Sequence, residues 1–385
     1  MKRLVDRLRG GNLTGWKRRV FQLVLLSIGI AVGGFLVAAS GIMPIKASSG
    51  HWPITAWFLS FSMDRSVSTH ALSIETPSLD EPAMIADGAA IYDRNCFPCH
   101  GSPALWHPRV AAAMTPPPPY LPPNIDNWKP RELFYIVKHG VKFTGMPAWP
   151  TQHRDDEVWT VVSFLQKFPE LDESEYQHLV APNETSAVDS LTDDSRAESS
   201  RPQIVQASCV RCHGERGRGR DDSHIPKLAG QQIEYIAATL RSYADGSRHS
   251  GIMEPIAATL SSQEIHEIAR YYSEIDSEKL DRVRSQADDS ADAIEQGQQI
   301  AFDGIPSQKV AACHSCHGPS RDSRNSHFPD LAGQPMGYLV EQLQLIQQSN
   351  RGGTQYIQLM HPVAKHLKLA QIQQVAAYYH SLTER

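Results

Sequence analysis

All six cysteines of this 385-residue chain stand in three copies of one motif, Cys-x-x-Cys-His. The copies read "CFPCH" from Cys96, "CVRCH" from Cys209 and "CHSCH" from Cys313. A disulfide framework does not need a histidine after each pair, and a thioredoxin-like dithiol would accompany a βαβ pattern, which the sequence lacks. A zinc site would need cysteines and histidines that converge at finger spacing, yet these pairs lie more than a hundred residues apart. The motif is instead the attachment signature of c-type haem.

The three motifs predict three covalently attached haem c groups. In each motif the two cysteines bond one porphyrin, and the histidine that follows ligates the iron as the proximal ligand. Because this uses every thiol, disulfides and free reactive cysteines are excluded. The predicted attachment residues are Cys96, Cys99, Cys209, Cys212, Cys313 and Cys316, and the predicted proximal ligands are His100, His213 and His317.

A methionine follows each motif at a similar distance and is the candidate for the sixth iron position, because methionine paired with histidine raises the potential of haem. Met114 lies too soon after the first motif to serve. At the third site His361 and His366 compete with the methionine, and a bis-histidine site would have a lower potential. The predicted sixth ligands are Met146, Met253 and Met360, which lie 46, 40 and 43 residues beyond their histidines.

Other features recur with the motifs and indicate three repeated units. A Pro-x-Leu follows each motif, and its backbone carbonyl is a candidate acceptor for the second ring N–H of the histidine. Each unit closes with apolar residues at helical spacing, within "RDDEVWTVVSFLQKF", "SSQEIHEIARYYSEI" and "KLAQIQQVAAYYHSL". No strand-like alternation is present. We therefore expect an all-α fold of three tandem cytochrome c-type haem domains after an N-terminal transmembrane helix.

The N-terminus carries a basic segment followed by a long apolar segment. Residues 1–19 contain seven Lys/Arg, and residues 20–43 contain no charge. The apolar run is long enough to span a bilayer, and the positive-inside rule leaves residues 1–19 in the cytoplasm and exports the rest. A cleaved signal peptide is the alternative. In the membrane-proximal segment 44–79, aromatic residues such as Trp57 and Phe58 suit either the membrane interface or packing against the first domain.

The composition of the chain predicts the boundaries between the domains and their linkers. We expect cytochrome c domains at 80–180, 201–275 and 293–385, standing in a row, with the first nearest the membrane and the last two packed as a pair. Residues 181–200 are polar and acidic, as in a flexible linker, and residues 276–292 form a second, charged linker. The net charge is −5, without the basic field that binds nucleic acid, so no nucleic-acid partner is expected.

These motifs together resemble the class I c-type cytochromes, and residues 201–385 resemble the dihaem cytochrome c4 family. The second resemblance rests on "CVRCHGERG", "IPKLAGQ", "YADGSR" and "MEPIAATLSSQEI" and on their counterparts in the third unit. The second unit begins abruptly at Arg201, and the third carries the insertion "DGIPSQKV", as departures from the pattern. The resemblance implies electron transport in a respiratory chain at the bacterial inner membrane, with the haem domains in the periplasm.

If protein side chains fill every sixth position, no iron is open to substrate. We therefore expect an electron carrier rather than an enzyme, with no catalytic residues. The resemblance implies a dehydrogenase or quinol-linked donor, and a terminal oxidase or a soluble cytochrome as acceptor. The alternative is the electron-draining cytochrome subunit of a membrane-bound dehydrogenase complex. An enzyme with one open haem is a further rival, and prompt binding of carbon monoxide would reveal it.

Overall fold

The computed structural model describes residues 15–43, 45–106, 108–181, 201–219, 223–275, 291–318 and 325–382. Within these ranges the chain is helical. The only extended pairings there are two isolated bridges, Arg248 with Gly352 and Ile305 with Val310. The all-α prediction is confirmed for this part of the chain. The two predicted linkers lie almost wholly outside the described residues.

The N-terminal helix α1 spans Trp16–Ala39 and buries none of its residues. It is the one helix among the described residues that is long and apolar enough to cross a bilayer. Helix α2 (Pro53–His70) begins at a proline, which suits the first helical position because it lacks an N–H to satisfy. Near its end Val67 is buried, whereas Trp57 and Phe58 remain exposed. These aromatic side chains therefore do not contribute to packing against the first module.

The first module comprises residues 82–180 and is centred on two crossed helices. Gly88 in helix α3 (Pro82–Asn95) allows this crossing, because a Cβ there would lie 2.1 Å from the carbonyl oxygen of Thr160 in helix α7 (Asp155–Lys167). Around the crossing, Tyr92, Phe164 and Phe168 form a buried aromatic cluster. Its helices are α3 (Pro82–Asn95), α4 (Phe97–His100), α5 (Arg109–Ala112), α6 (Pro130–His139), α7 (Asp155–Lys167) and α8 (Glu173–Val180).

The second and third modules, residues 203–273 and 291–381, repeat this plan. Gly297 is the counterpart of Gly88, because a Cβ there would lie 2.0 Å from the carbonyl oxygen of Gln374 in the closing helix. The first helix of the second module has only six residues, in keeping with its abrupt start in the sequence. The second module contains α9 (Gln203–Ser208), α10 (Val210–His213), α11 (Ile233–Ala244), α12 (Met253–Ala257) and α13 (Ser262–Ser273). The third contains α14 (Ala291–Asp303), α15 (His314–His317), α16 (Met336–Gln347), α17 (Ile357–Ala364) and α18 (Leu369–Ser381).

The three modules meet at one junction rather than standing in a row. The Arg154 guanidinium of the first module lies 2.7 Å from the Glu341 carboxylate of the third. It also donates a hydrogen bond of 3.0 Å to the carbonyl oxygen of His249 in the second. Because Arg154 is buried and bonded to both other modules, it fixes the first module against the pair.

Candidate haem-binding sites

Each Cys-x-x-Cys-His motif forms a single helical turn. The histidine N–H donates to the carbonyl oxygen of the first cysteine, at 2.9 Å in the first and second motifs and 2.8 Å in the third. This turn places both cysteines and the histidine on one short stretch of backbone. No disulfide joins any two of the six cysteines. Before haem attachment, burial raises the pKa of the Cys96 thiol to about 12 and that of the Cys209 and Cys313 thiols to about 11.

The proximal histidines are oriented in the same way in all three modules. His100 Nδ1 lies 2.8 Å from the carbonyl oxygen of Pro119. The corresponding distances are 3.0 Å from His213 to Pro226 and 3.0 Å from His317 to Pro329. A carbonyl can only accept, so each ring donates from Nδ1 and carries its lone pair on Nε2. The Pro-x-Leu carbonyls thus have the role expected from the sequence, and they set the tautomer that an iron ligand needs.

One continuous cavity of about 540 Å³ joins the second and third sites. Its walls bring both predicted ligand sets together, and apolar side chains such as Ile236, Leu240, Leu339 and Ile346 complete them. Met360 lines this cavity, whereas His361 and His366 are not among its lining residues. The predicted site residues on its walls are Cys209, Cys212, His213, Met253, Cys313, Cys316, His317 and Met360.

Two buried arginines face the same cavity. Arg248 bonds to Tyr235, Thr239, Tyr338 and Gln342, and Arg351 bonds to Gln342 and Tyr235. Among the described residues neither guanidinium pairs with a carboxylate. Burial raises the pKa of Tyr235, but the two guanidinium charges outweigh it and lower that pKa. Buried cations need anions, and the propionate carboxylates of haem would supply them here. The thiols, imidazoles, thioethers and guanidinium groups around this cavity therefore fit haem.

The predicted ligands of the first site lie apart from the cavity that the other two sites share. Met146 is half-buried in the loop after α6, where its N–H donates to Thr144 Oγ1 at 3.1 Å. Met114 packs against this loop, since a Cβ on Gly145 would lie 1.8 Å from Met114 Cε. Neither Met146 nor His100 lines the cavity of the other two sites, so the pairing of these two residues stays a prediction.

An ion pair connects the first and second attachment motifs. Arg211 stands between the two cysteines of the second motif and pairs with Asp93, which lies three residues before Cys96. Nearby, Asp87 Oδ2 accepts a hydrogen bond of 3.0 Å from the backbone N–H of His224. The second attachment motif therefore lies against the helix that leads into the first motif.

The first module also holds the loop that leads into Met253, the first residue of α12. Glu157 Oε2 accepts hydrogen bonds from Gly251 N–H at 2.7 Å and from Trp149 Nε1 at 3.1 Å. Ser250 Oγ donates to Glu157 Oε1 and in turn accepts from Met253 N–H at 3.0 Å. A Cβ on Gly251 would lie 2.0 Å from Trp149 Nε1, so only glycine permits this approach. Burial raises the pKa of Glu157, while the Arg154 charge opposes this increase.

These cross-module contacts were not found from the sequence. Glu157 reads as an ordinary acidic residue in the first turn of a helix. The sequence does repeat two features in the second and third units, namely an arginine before the predicted ligand methionine and the segment "LAGQ". Only the folded structure shows that these repeated segments of the second and third modules face one another.

Comparisons with known proteins identify the family. Residues 83–165 and 197–271 match the family described as cytochrome c oxidase, cbb3-type, subunit III, and residues 294–383 match the family cytochrome c. The thiosulfate dehydrogenase electron acceptor of Thiomonas intermedia (strain K12) is 35% identical over 172 residues, which are 45% of this chain and 77% of that protein. The chain belongs to the cytochrome c family.

Two further relatives of this cytochrome c are informative. Cytochrome c-552 of Acidithiobacillus ferridurans is 35% identical over 208 residues, 53% of this chain and 84% of that protein. The cytochrome subunit of sulfide dehydrogenase of Chlorobaculum tepidum is 40% identical over 73 residues, 19% of this chain and 64% of that protein. This cytochrome c therefore binds c-type haem covalently and transfers electrons, and it is an electron carrier rather than an enzyme.

Proposed function

We propose that this cytochrome c is a membrane-anchored, exported carrier with three covalently bound haems. It would relay electrons from a membrane or periplasmic donor to a terminal acceptor. The observation that carries the proposal is the adjacency of the three motifs. Asp93 and Arg211 join the first to the second, and one cavity joins the second to the third. Electron transfer between sites needs such fixed, close placement.

The residues that would hold the three haem irons are His100 with Met146, His213 with Met253 and His317 with Met360. Haem supplies a one-electron Fe(III)/Fe(II) couple when bound. The chain fixes the tautomer of each histidine through a proline carbonyl, and apolar side chains line the shared cavity of the second and third sites. A thioether ligand would favour Fe(II) and would raise the potential. The placement of Met360 on the cavity wall supports it over His361 and His366 at the third site.

The N-terminal helix is the proposed inner-membrane anchor, which leaves the three modules in the periplasm. Its support is that no residue of α1 is buried, together with the basic residues Lys17, Arg18 and Arg19 at its start. The exposed Trp57, Phe58 and Phe61 on α2 would then lie at the lipid interface. The competing outcome is a cleaved signal peptide, and the N-terminal sequence of the mature protein distinguishes the two.

A redox titration followed by visible spectroscopy tests the proposal. Three sites with histidine–methionine ligation should titrate as three one-electron steps, and the reduced protein should not bind carbon monoxide promptly. Prompt binding at any site would show an open iron and would support an enzymatic role instead.

A second candidate function is the cytochrome subunit of a stable dehydrogenase complex. It is favoured by relatives whose names refer to thiosulfate dehydrogenase and sulfide dehydrogenase. Mild detergent extraction of native membranes followed by size-exclusion chromatography separates the two functions. A stoichiometric complex with a dehydrogenase supports the subunit role, whereas elution as a free cytochrome supports the stand-alone carrier.

A further inference from the structure

The second and third modules each contribute one glutamine to their interface, and each glutamine bonds to the backbone of the other module. Gln334 of the third module contacts the backbone of Lys227 in the second, where it accepts from the N–H at 3.1 Å and donates to the carbonyl oxygen at 2.9 Å. Gln231 of the second module contacts Asp330 in the third in the same way, at 2.7 Å and 3.0 Å. All four residues are buried, at 3–5% exposure.

Each glutamine binds the same peptide group that orients a proximal histidine. The peptide between Pro226 and Lys227 accepts from His213 Nδ1 through its carbonyl and donates to Gln334 through its N–H. The peptide between Pro329 and Asp330 likewise links His317 to Gln231. Hydrogen bonds in such a chain polarise one another, so accepting the peptide N–H strengthens the carbonyl as an acceptor.

We propose that Gln334 and Gln231 are positioning residues that tune the proximal histidine of the opposite module. Gln334 acts on His213 of the second module, and Gln231 acts on His317 of the third. A stronger carbonyl acceptor pulls the Nδ1 proton and makes the imidazole a more basic ligand, which favours Fe(III). The inference rests on the proposed haem sites and adds that docking of the two modules itself lowers both potentials.

The first module provides an internal contrast. His100 also donates to a proline carbonyl, that of Pro119. Gln334 and Gln231 bond to the backbone N–H groups of Lys227 and Asp330, which lie in the second and third modules and not in the first. The first site should therefore be insensitive to both substitutions.

The test uses Gln334→Leu and Gln231→Leu in the full-length protein, with Gln373→Leu as a matched control at an exposed position of α18. Haem content is first measured by intact mass, so that loss of a haem, which would count against the proposed function, is distinguished from a change in potential. Spectroelectrochemistry with NMR assignment of each site then measures the Fe(II) to Fe(III) ratio at a fixed potential. Hydrogen exchange of the Lys227 and Asp330 amides reports whether each peptide N–H has lost its acceptor.

For Gln334→Leu we expect the Fe(II) to Fe(III) ratio to rise about threefold at the second site, with little change at the third. Gln231→Leu should produce the reverse pattern, and Gln373→Leu should change neither site. A shift in the module that carries the substitution, an equal shift in both, or faster amide exchange without any shift would overturn the proposal. If Gln334→Leu does not assemble, Gln334→Glu keeps an acceptor for Lys227 N–H. It should not raise the ratio at the second site, and a rise there would overturn the proposal.

Discussion

Glu157 Oε1 in the first module accepts a hydrogen bond of 2.6 Å from Ser250 Oγ, three residues before Met253 in the second. The carboxylate also bonds to Gly251 and lies 3.2 Å from the Arg154 guanidinium. A buried carboxylate with this many partners fixes the loop that it binds. The conformation of the loop that precedes Met253 in the second module is thereby set by the first module.

Replacing Glu157 should release that loop. Glu157→Ala leaves Arg154 without one of its buried carboxylates and leaves Gly251 N–H without an acceptor, which we expect to cost about 3–5 kcal/mol of unfolding free energy. The absorption band of the proposed Met253–iron bond at the second site should weaken. Denaturant unfolding and visible spectroscopy of the oxidised protein check both effects. Glu170→Ala, at an exposed ion pair with Lys167, is the control and should change neither. An unchanged spectrum in Glu157→Ala would show that the loop holds its place without the first module.

Adding a methyl group at Gly251 should also weaken the contact between the first and second modules. A Cβ in Gly251→Ala would lie 2.0 Å from Trp149 Nε1, so the first module must shift away from the loop. Overpacking of this kind costs about 1–3 kcal/mol. Proteolysis of the segment between the first two modules measures the loss of docking as faster cleavage. Gly246→Ala meets no neighbour within 4 Å and adds only backbone strain, so its cleavage rate should match the original protein. Equal rates for both variants would contradict the tight contact.

Removing a buried arginine tests the carboxylate-binding role of the cavity wall. Arg248→Leu takes away a positive charge beside the second and third sites, and loss of positive charge favours Fe(III). We expect lower potentials at these sites and a loss of stability of about 3 kcal/mol. Redox titration is the measurement, and Arg241→Leu, at an exposed position in the same module, is the control. If Arg248→Leu leaves the potentials and the stability unchanged, no carboxylate uses this guanidinium.

Stability should fall as the pH rises from about 6.5 to about 9. Burial opposes a charged His224, but the Asp87 carboxylate at 3.8 Å and the Glu341 and Glu81 carboxylates outweigh it and raise the pKa of His224 to about 9. A histidine whose pKa is higher in the folded state stabilises the protein below the unfolded value of about 6.5. That contribution to stability is lost as the pH rises through the pKa of about 9 that His224 has in the folded protein.

We expect this loss to be on the order of 2 kcal/mol. Thermal unfolding across this pH window measures it. His224→Gln should flatten the dependence, whereas His266→Gln, at an exposed position of α13, should leave it in place. A dependence that persists in full in His224→Gln would assign it to another group.

The sequence carried much of the fold, and the reason is periodicity. The closing helices α7, α13 and α18 follow directly from apolar residues at helical spacing, and the histidine carbonyl contacts follow from a recurring Pro-x-Leu. The contacts between modules could not be predicted in this way. Glu157 and Ser250 are 93 residues apart, and Gln334 and Lys227 are 107 apart. No local pattern encodes such a distance, and the arrangement of the modules in a row was wrong for that reason.

The domain boundaries and the individual ligand assignments remain predictions. Met253 and Met360 are on the wall of one cavity with their proposed histidines, which is the placement that the assignment needs. For the first site that spatial relationship rests on the motif spacing alone.

Intact-mass measurement of the mature protein tests whether three haems are covalently attached to this one chain. After expression in a host able to attach c-type haem, we expect the polypeptide mass plus three haem increments. Cys96→Ala with Cys99→Ala, Cys209→Ala with Cys212→Ala, and Cys313→Ala with Cys316→Ala should each remove one increment. A mature protein that carries fewer than three increments, or a cysteine pair whose loss leaves the mass increment unchanged, would contradict the account.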